Sequence, residues 1–133
     1  MSQESVELAR RGLAALNRGE LDAVIDLCDP EIDWIATPGF LPDAEDFHGR
    51  AGVRAWFEKV GEALGTTDWE AEEIIDGGER LMVALKLRAA GKSSGIEGEV
   101  RLYQAWTIRD GKLARLESYL TREEALDAAG LQE

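Results

Sequence analysis

The chain has 133 residues, with 27 acidic against 15 basic side chains and a formal net charge of −12. That balance argues against nucleic acid and anionic membrane surfaces as partners, because both need clustered Lys and Arg. At 44% hydrophobic and 32% charged residues, the composition fits a single soluble domain over 1–133 that needs no disulfide or metal staple.

Val6, Ala9, Leu13 and Leu16 recur at spacings of three and four, which predicts a helix over 2–17, capped by Ser2 and ended by Gly19. A shorter helix follows, with Leu21, Val24, Ile25 and Cys28 on one face, and Pro30 stops it. Residues 31–37 alternate as a strand, with Ile32, Trp34 and Ala36 on one side and Asp33, Ile35 and Thr37 on the other. Two prolines and two glycines make 38–49 a loop. A third helix runs from about 50 to 64, with Val53, Phe57, Val60 and Leu64 as a stripe, Trp56 beside it, and Gly65 closing it.

The period then changes from helical to alternating. Residues 69–75 read as a strand and Asp76-Gly77-Gly78 as a turn. Leu81, Val83, Leu85 and Leu87 alternate over a long strand, and 91–95 form a loop. Val100, Leu102, Gln104, Trp106 and Ile108 alternate over the next strand, and Asp110-Gly111 is a strong hairpin signal. A last strand runs to about Leu120. Thr121 to Glu124 then form a capping box that opens a final helix ended by Gly130. Helices followed by a meander of long strands predict an α+β domain, with helices on one face of a curved sheet.

Chemistry-bearing motifs are few. Cys28 is the single cysteine, which excludes an intrachain disulfide; flanked by Asp26 and Asp29, it reads as a buried small hydrophobe with a raised pKa. One histidine and one cysteine make no metal motif, and the scattered glycines make no phosphate loop, so neither metal nor cofactor is expected. No stretch is long and apolar enough to span a membrane, and the N-terminus lacks signal-peptide character, so a cytoplasmic location is the expectation.

Three stretches carry a family resemblance. Leu13 to Asp22 resembles the turn between the first two helices of steroid isomerases and SnoaL-like polyketide cyclases. Phe47 to Val53 resembles the approach to the third helix of the same superfamily. Arg109 to Leu113, Tyr119 and Arg122 to Leu126 resemble its last hairpin and final helix. The chain thus resembles the nuclear-transport-factor-2-like superfamily, in its SnoaL-like and ketosteroid-isomerase-like branch. The resemblance implies a cone: a strongly curved, mostly antiparallel sheet with helices packed on its concave face. Fold alone does not select among the activities found there.

The inward positions form a candidate ligand pocket of Leu13, Trp34, Ala36, Phe57, Leu85, Leu102, Gln104, Trp106 and Ser118, mostly apolar with few polar anchors. A packed core would be built of the same side chains. The resemblance also permits a test of known chemistries. A steroid isomerase needs a tyrosine, a base aspartate and a protonated aspartic acid. Those positions fall at Gly12, at or near Ala36, and at Gln104, so all three roles are empty. The epoxide hydrolases of the superfamily need an Arg-x-Asp pair and a further aspartate; this chain offers Lys86-Leu87-Arg88 and Ser118.

His48 is the best titratable candidate by elimination. It reads as solvated or at the mouth of the cone, and Asp43, Glu45 and Asp46 are near in sequence. Gln104 can orient a carbonyl or hydroxyl but cannot carry a proton; alternatively Ser118 satisfies it within the core. Glu97, Glu99, Arg101 and Tyr103 alternate opposite Gln104 as an ion-pair ladder. Tyr103, Ala105, Thr107, Arg115, Glu117 and Tyr119 form a mixed outer face. Relatives commonly pair through this face, so a homodimer is expected. The expected function is binding of a small, apolar, oxygen-bearing molecule, with cyclase- or isomerase-type proton transfer as an extension. The alternative is a non-catalytic interaction or scaffold module with a filled cavity.

Overall fold

The computed structural model describes residues 2–35, 46–90 and 97–131. In chain order the elements are α1 (Ser2–Asn17), α2 (Leu21–Asp26), β1 (Cys28–Ile35), β2 (Phe47–His48), α3 (Gly49–Leu64), β3 (Thr66–Asp76), β4 (Arg80–Ala90), β5 (Glu97–Arg109), β6 (Lys112–Tyr119) and α4 (Arg122–Ala129). The strands make one curved sheet in the order β2-β1-β6-β5-β4-β3. Every pairing is antiparallel except β1 with β6, which is parallel.

The α+β cone is therefore the observed architecture. Leu81, Val83, Leu85 and Leu87 of β4 and Leu102, Trp106 and Ile108 of β5 face a core closed by Leu8 and Ala9 of α1, Ile25 of α2 and Val53, Trp56 and Val60 of α3. One helix departs from the expected arrangement. Ala125 and Leu126 of α4 pack on Met82 and Ala84, the alternate residues of β4, and so cover the opposite face. A bidentate pair from Arg122 to Glu73, both bonds 2.9 Å, ties α4 to β3. The Thr121 hydroxyl accepts from the Glu124 N–H and donates to the Glu124 carboxylate, so the predicted capping box closes side chain to side chain.

Cys28 is a correction. It opens β1 rather than continuing α2, because Leu113 N–H donates to the Leu27 carbonyl at 2.9 Å and draws the chain onto β6. Pro30 sits inside β1, in the interval between Cys28 and Asp33 where the pairing with β6 shifts register. A residue without an N–H is tolerated there. The expected loop over 38–49 also ends early: Phe47 and His48 pair with Trp34 and Asp33 as a two-residue strand.

The stretches carrying the resemblance have structural duties. At the sheet edge, Asn17 donates its amide to the Trp69 carbonyl at 2.7 Å and accepts the Trp69 N–H at 2.9 Å, as a neighbouring strand would. We expect Asn17→Ala to cost about 1–2 kcal/mol, since it strands two half-buried backbone groups. Urea unfolding measures this, and an unchanged midpoint would show that water replaces the amide without loss. Gly49 takes φ 76°, and Arg50 donates twice to the Cys28 carbonyl, at 2.8 and 3.0 Å. A Cβ at Gly52 would lie 3.0 Å from Phe47 Cβ.

Of the expected outer-face ladder, Glu99 and Arg101 make ion pairs, Tyr103 packs instead beside α4, and the Glu97 side chain lies outside what is described. Lys86 and Arg88 of β4 stand between Glu70 and Glu72 of β3 and Glu99 and Arg101 of β5. Arg88, Arg101, Glu70 and Glu99 are half exposed, so their pairs contribute little stability, while Lys86 is largely buried. They mark the charged end of this face of β4, beyond the Met82 and Ala84 that α4 covers.

Candidate apolar cavity

Between α1, α2, α3 and the concave sheet lies a cavity of about 50 Å³. Five aromatic side chains line it among the described residues, Trp34, Trp56, Phe57, Trp69 and Trp106, and the first four form one cluster. Trp34 meets Trp56 at 5.2 Å and Phe57 at 5.6 Å between ring centroids; Trp56 meets Phe57 at 4.9 Å and Trp69 at 6.2 Å. The contacts are tilted or edge-on, which aromatic quadrupoles favour over flat stacking. The lining is almost wholly apolar.

Of the residues expected there, Leu13, Trp34, Phe57, Leu85, Gln104 and Trp106 line the cavity. Ala36 lies outside the described residues. Leu102 and Ser118 are corrections. Leu102 is fully buried opposite Leu85 and belongs to the solid core rather than the lining. Ser118 reaches the site only through Gln104, whose amide donates to its hydroxyl at 3.3 Å. The Gln104 carbonyl is occupied too, accepting the Trp106 indole N–H at 2.9 Å. Gln104 is thus a core glutamine partnered on both sides of its amide.

Ten of the described lining residues were missed by the sequence reading, Gly12, Cys28, Trp56 and Trp69 among them. Gly12 carried a signal: a glycine in the middle of a helix with nothing requiring positive φ. It is buried beside Leu27, whose Cδ1 would lie 3.5 Å from an added Cβ, an ordinary contact. Gly12 and Gln104 are two of the positions where the isomerase chemistry would sit, and both do line the cavity. Neither can ionise.

Cys28 is the only titratable side chain among the described lining residues. Burial pushes its thiol up to about 11, despite the opposing pull of Arg50 and Lys112. The cause is therefore desolvation rather than the flanking aspartates, and the thiol stays neutral and unreactive.

His48 does not enter the cavity. The β1–β2 register puts Phe47 beside Trp34 and His48 beside Asp33 on the other face. The imidazole Nδ1 lies 2.8 Å from Asp33 Oδ1, and Nε2 is 3.8 Å from Glu31. Among the described residues its acid partner is thus Asp33, on the neighbouring strand; Asp43 and Glu45 lie outside the described residues. Hydrogen bonding to Asp33 raises the His48 pKa above its ordinary value. A raised folded pKa means that the stability from this pair is fully present below about pH 6.5 and fades as pH climbs through the folded value. We expect an NMR titration to give a pKa above 6.5 that falls in Asp33→Asn. A titration unchanged by that substitution would mean the pair is not formed.

No curated protein matches this sequence. Solved structures do. TerC, co-crystallised with polyporic acid, superposes with TM-score 0.78 at 21% identity over 95% of this chain and 97% of that one. A nuclear-transport-factor-2-like protein of unknown function from Burkholderia pseudomallei gives 0.79 at 20%, over 97% and 98%. A nuclear-transport-factor-2-like protein from Burkholderia xenovorans gives 0.72 at 25%, over 97% and 98%. Residues 9–116 match the SnoaL-like domain, covering both the helices and the strands that enclose the cavity, and the chain belongs to the SnoaL-like domain family.

Proposed function

We propose that this chain binds a small apolar molecule non-covalently in the cone and is not a proton-transfer enzyme of the isomerase type. The observation that carries this reading is the lining: apolar, aromatic-rich and without a charged side chain among the described residues. Apolar concavities with few polar groups are the usual build of small-molecule sites. The co-crystal of TerC with polyporic acid is a precedent for ligand capture by a protein of this fold. Other solved neighbours carry provisional assignments as a ketosteroid isomerase, a polyketide cyclase and a hydroxylase. General acid–base work of that kind needs a group that exchanges protons near neutral pH, and a thiol held near 11 does not supply one.

At about 50 Å³ the cavity is smaller than the roughly 150 Å³ that takes a benzene. Binding therefore enlarges it, and the half-buried Leu13, Leu16 and Phe57 are the side chains placed to move. Gly12 supports the reading. A mid-helix glycine costs about 1 kcal/mol against alanine, and here a methyl would fit. Helix stability is given up for space beside the cavity.

Gly12→Ala should consequently raise stability by about 0.5–1 kcal/mol and weaken ligand binding. A thermal-shift series with acetophenone and similar aromatics tests this, because a ligand that binds only the folded state raises its melting temperature. The reading predicts a rise in the parent protein that shrinks in Gly12→Ala. No rise in either protein would favour the second reading, a filled core in a non-catalytic interaction module, which the small cavity supports.

Self-association belongs to the same proposal. Tyr103 and Tyr119 pack against α4, which narrows the outer face available for pairing to Thr107, Arg115 and Glu117 with Asp33 beside them. Opposite charges on one face suit a two-fold contact. Sedimentation should show a dimer that Arg115→Glu dissociates; a single 14.6 kDa species from the parent protein would refute pairing.

A further inference from the structure

The geometry points to Trp34 as the residue that selects the ligand, its indole N–H donating to the oxygen of a neutral apolar ketone, ester or ether. This rests on the ligand-binding reading above. Trp34 lines the cavity and is only 4% exposed, and its Nε1 is buried with no acceptor among the described residues. Two other indoles of the lining are treated differently by the fold. Trp106 donates to Gln104 at 2.9 Å, and Trp69 donates to Thr67 Oγ1 at 3.1 Å. A buried donor without an acceptor is costly, and a ligand oxygen removes that cost.

The rest of the lining restricts the ligand further. No side chain of opposite charge is available among the described lining residues to a carboxylate or an ammonium, so an ion would be buried unpaired. The Gln104 carbonyl already accepts from Trp106, and the Cys28 sulfur, whose S–H donates to the Val24 carbonyl at 3.6 Å, is a weak acceptor, so the described lining has little acceptor capacity for a donor-rich ligand. Phe57 packs edge-on against Trp34 and is only half buried. Its displacement both enlarges the cavity and uncovers Trp34. The class that fits is a neutral, mainly hydrocarbon molecule carrying one hydrogen-bond acceptor.

Calorimetry with three probes of similar shape tests this: acetophenone, its hydrocarbon isostere α-methylstyrene, and benzoate. Acetophenone is expected to bind about tenfold more tightly than α-methylstyrene, and benzoate not at all, one neutral hydrogen bond corresponding to about that ratio. Trp34→Phe keeps an aromatic ring and removes the N–H, and should bring acetophenone down to the hydrocarbon's affinity. In the unmodified protein, the Trp34 indole proton should shift downfield in NMR with acetophenone and not with α-methylstyrene, which serves if the variant fails to fold. Equal affinities, an unmoved indole proton, or benzoate binding would overturn the selection by Trp34 while leaving the apolar site standing. If none of the three probes bound, both readings would fall together.

Discussion

Trp34→Ala is expected to destabilise the fold by about 3 kcal/mol. Truncating a large buried aromatic ordinarily costs about 3–5 kcal/mol, as transfer free energy plus the cavity left behind. Trp34 is 4% exposed and touches Trp56 and Phe57, so its removal also loses two edge-type aromatic contacts. One effect works the other way. The indole N–H has no acceptor among the described residues, and alanine removes that unpaired donor, offsetting about 1–3 kcal/mol. The expected value therefore falls at the low end of the range. Urea unfolding measures it; a loss under about 1 kcal/mol would contradict the packing described for β1.

Gln104→Leu has an expected effect of similar size, about 2–4 kcal/mol, for a different reason. The volume is nearly kept, so cavity formation is a minor term. The loss is instead the two partners left behind: the Trp106 N–H and the Ser118 hydroxyl, both in buried residues. Removing one partner of a buried hydrogen bond costs more than removing both. Adding Trp106→Phe and Ser118→Ala to Gln104→Leu should therefore restore part of the stability. If the triple variant is less stable than Gln104→Leu alone, packing rather than polar satisfaction governs this cluster.

Much of the fold was legible because its local signals agree. The alternation of Leu81, Val83, Leu85 and Leu87 fixed which face of β4 turns inward, and Asp110-Gly111 closed the β5–β6 hairpin with Asp110 at φ 53° and Gly111 at φ 75°. Cys28 was misassigned because helical spacing from Leu21 continues through it, while the parallel pairing with β6 that claims it is set by residues more than 80 positions away. The place of α4 was hidden for a related reason. Its apolar residues show that it packs, but Met82 and Ala84, which receive it, read as the outward half of an alternating strand.

The site was less legible than the fold. Phe57, Trp34 and Trp106 could be placed inward by period alone, but whether they enclose a space or fill one is a matter of volume, which spacing does not encode. His48 looked isolated because its partner Asp33 is joined to it by strand register rather than by sequence neighbourhood.

The central claim is that the cone opens to admit an apolar molecule. A crystal structure of the protein soaked with acetophenone tests it most directly. The account predicts the ligand between Gly12, Trp34 and Phe57, with Phe57 displaced and the cavity grown well beyond about 50 Å³. A core that stays closed at its present volume, with acetophenone absent or only on the surface, would contradict it.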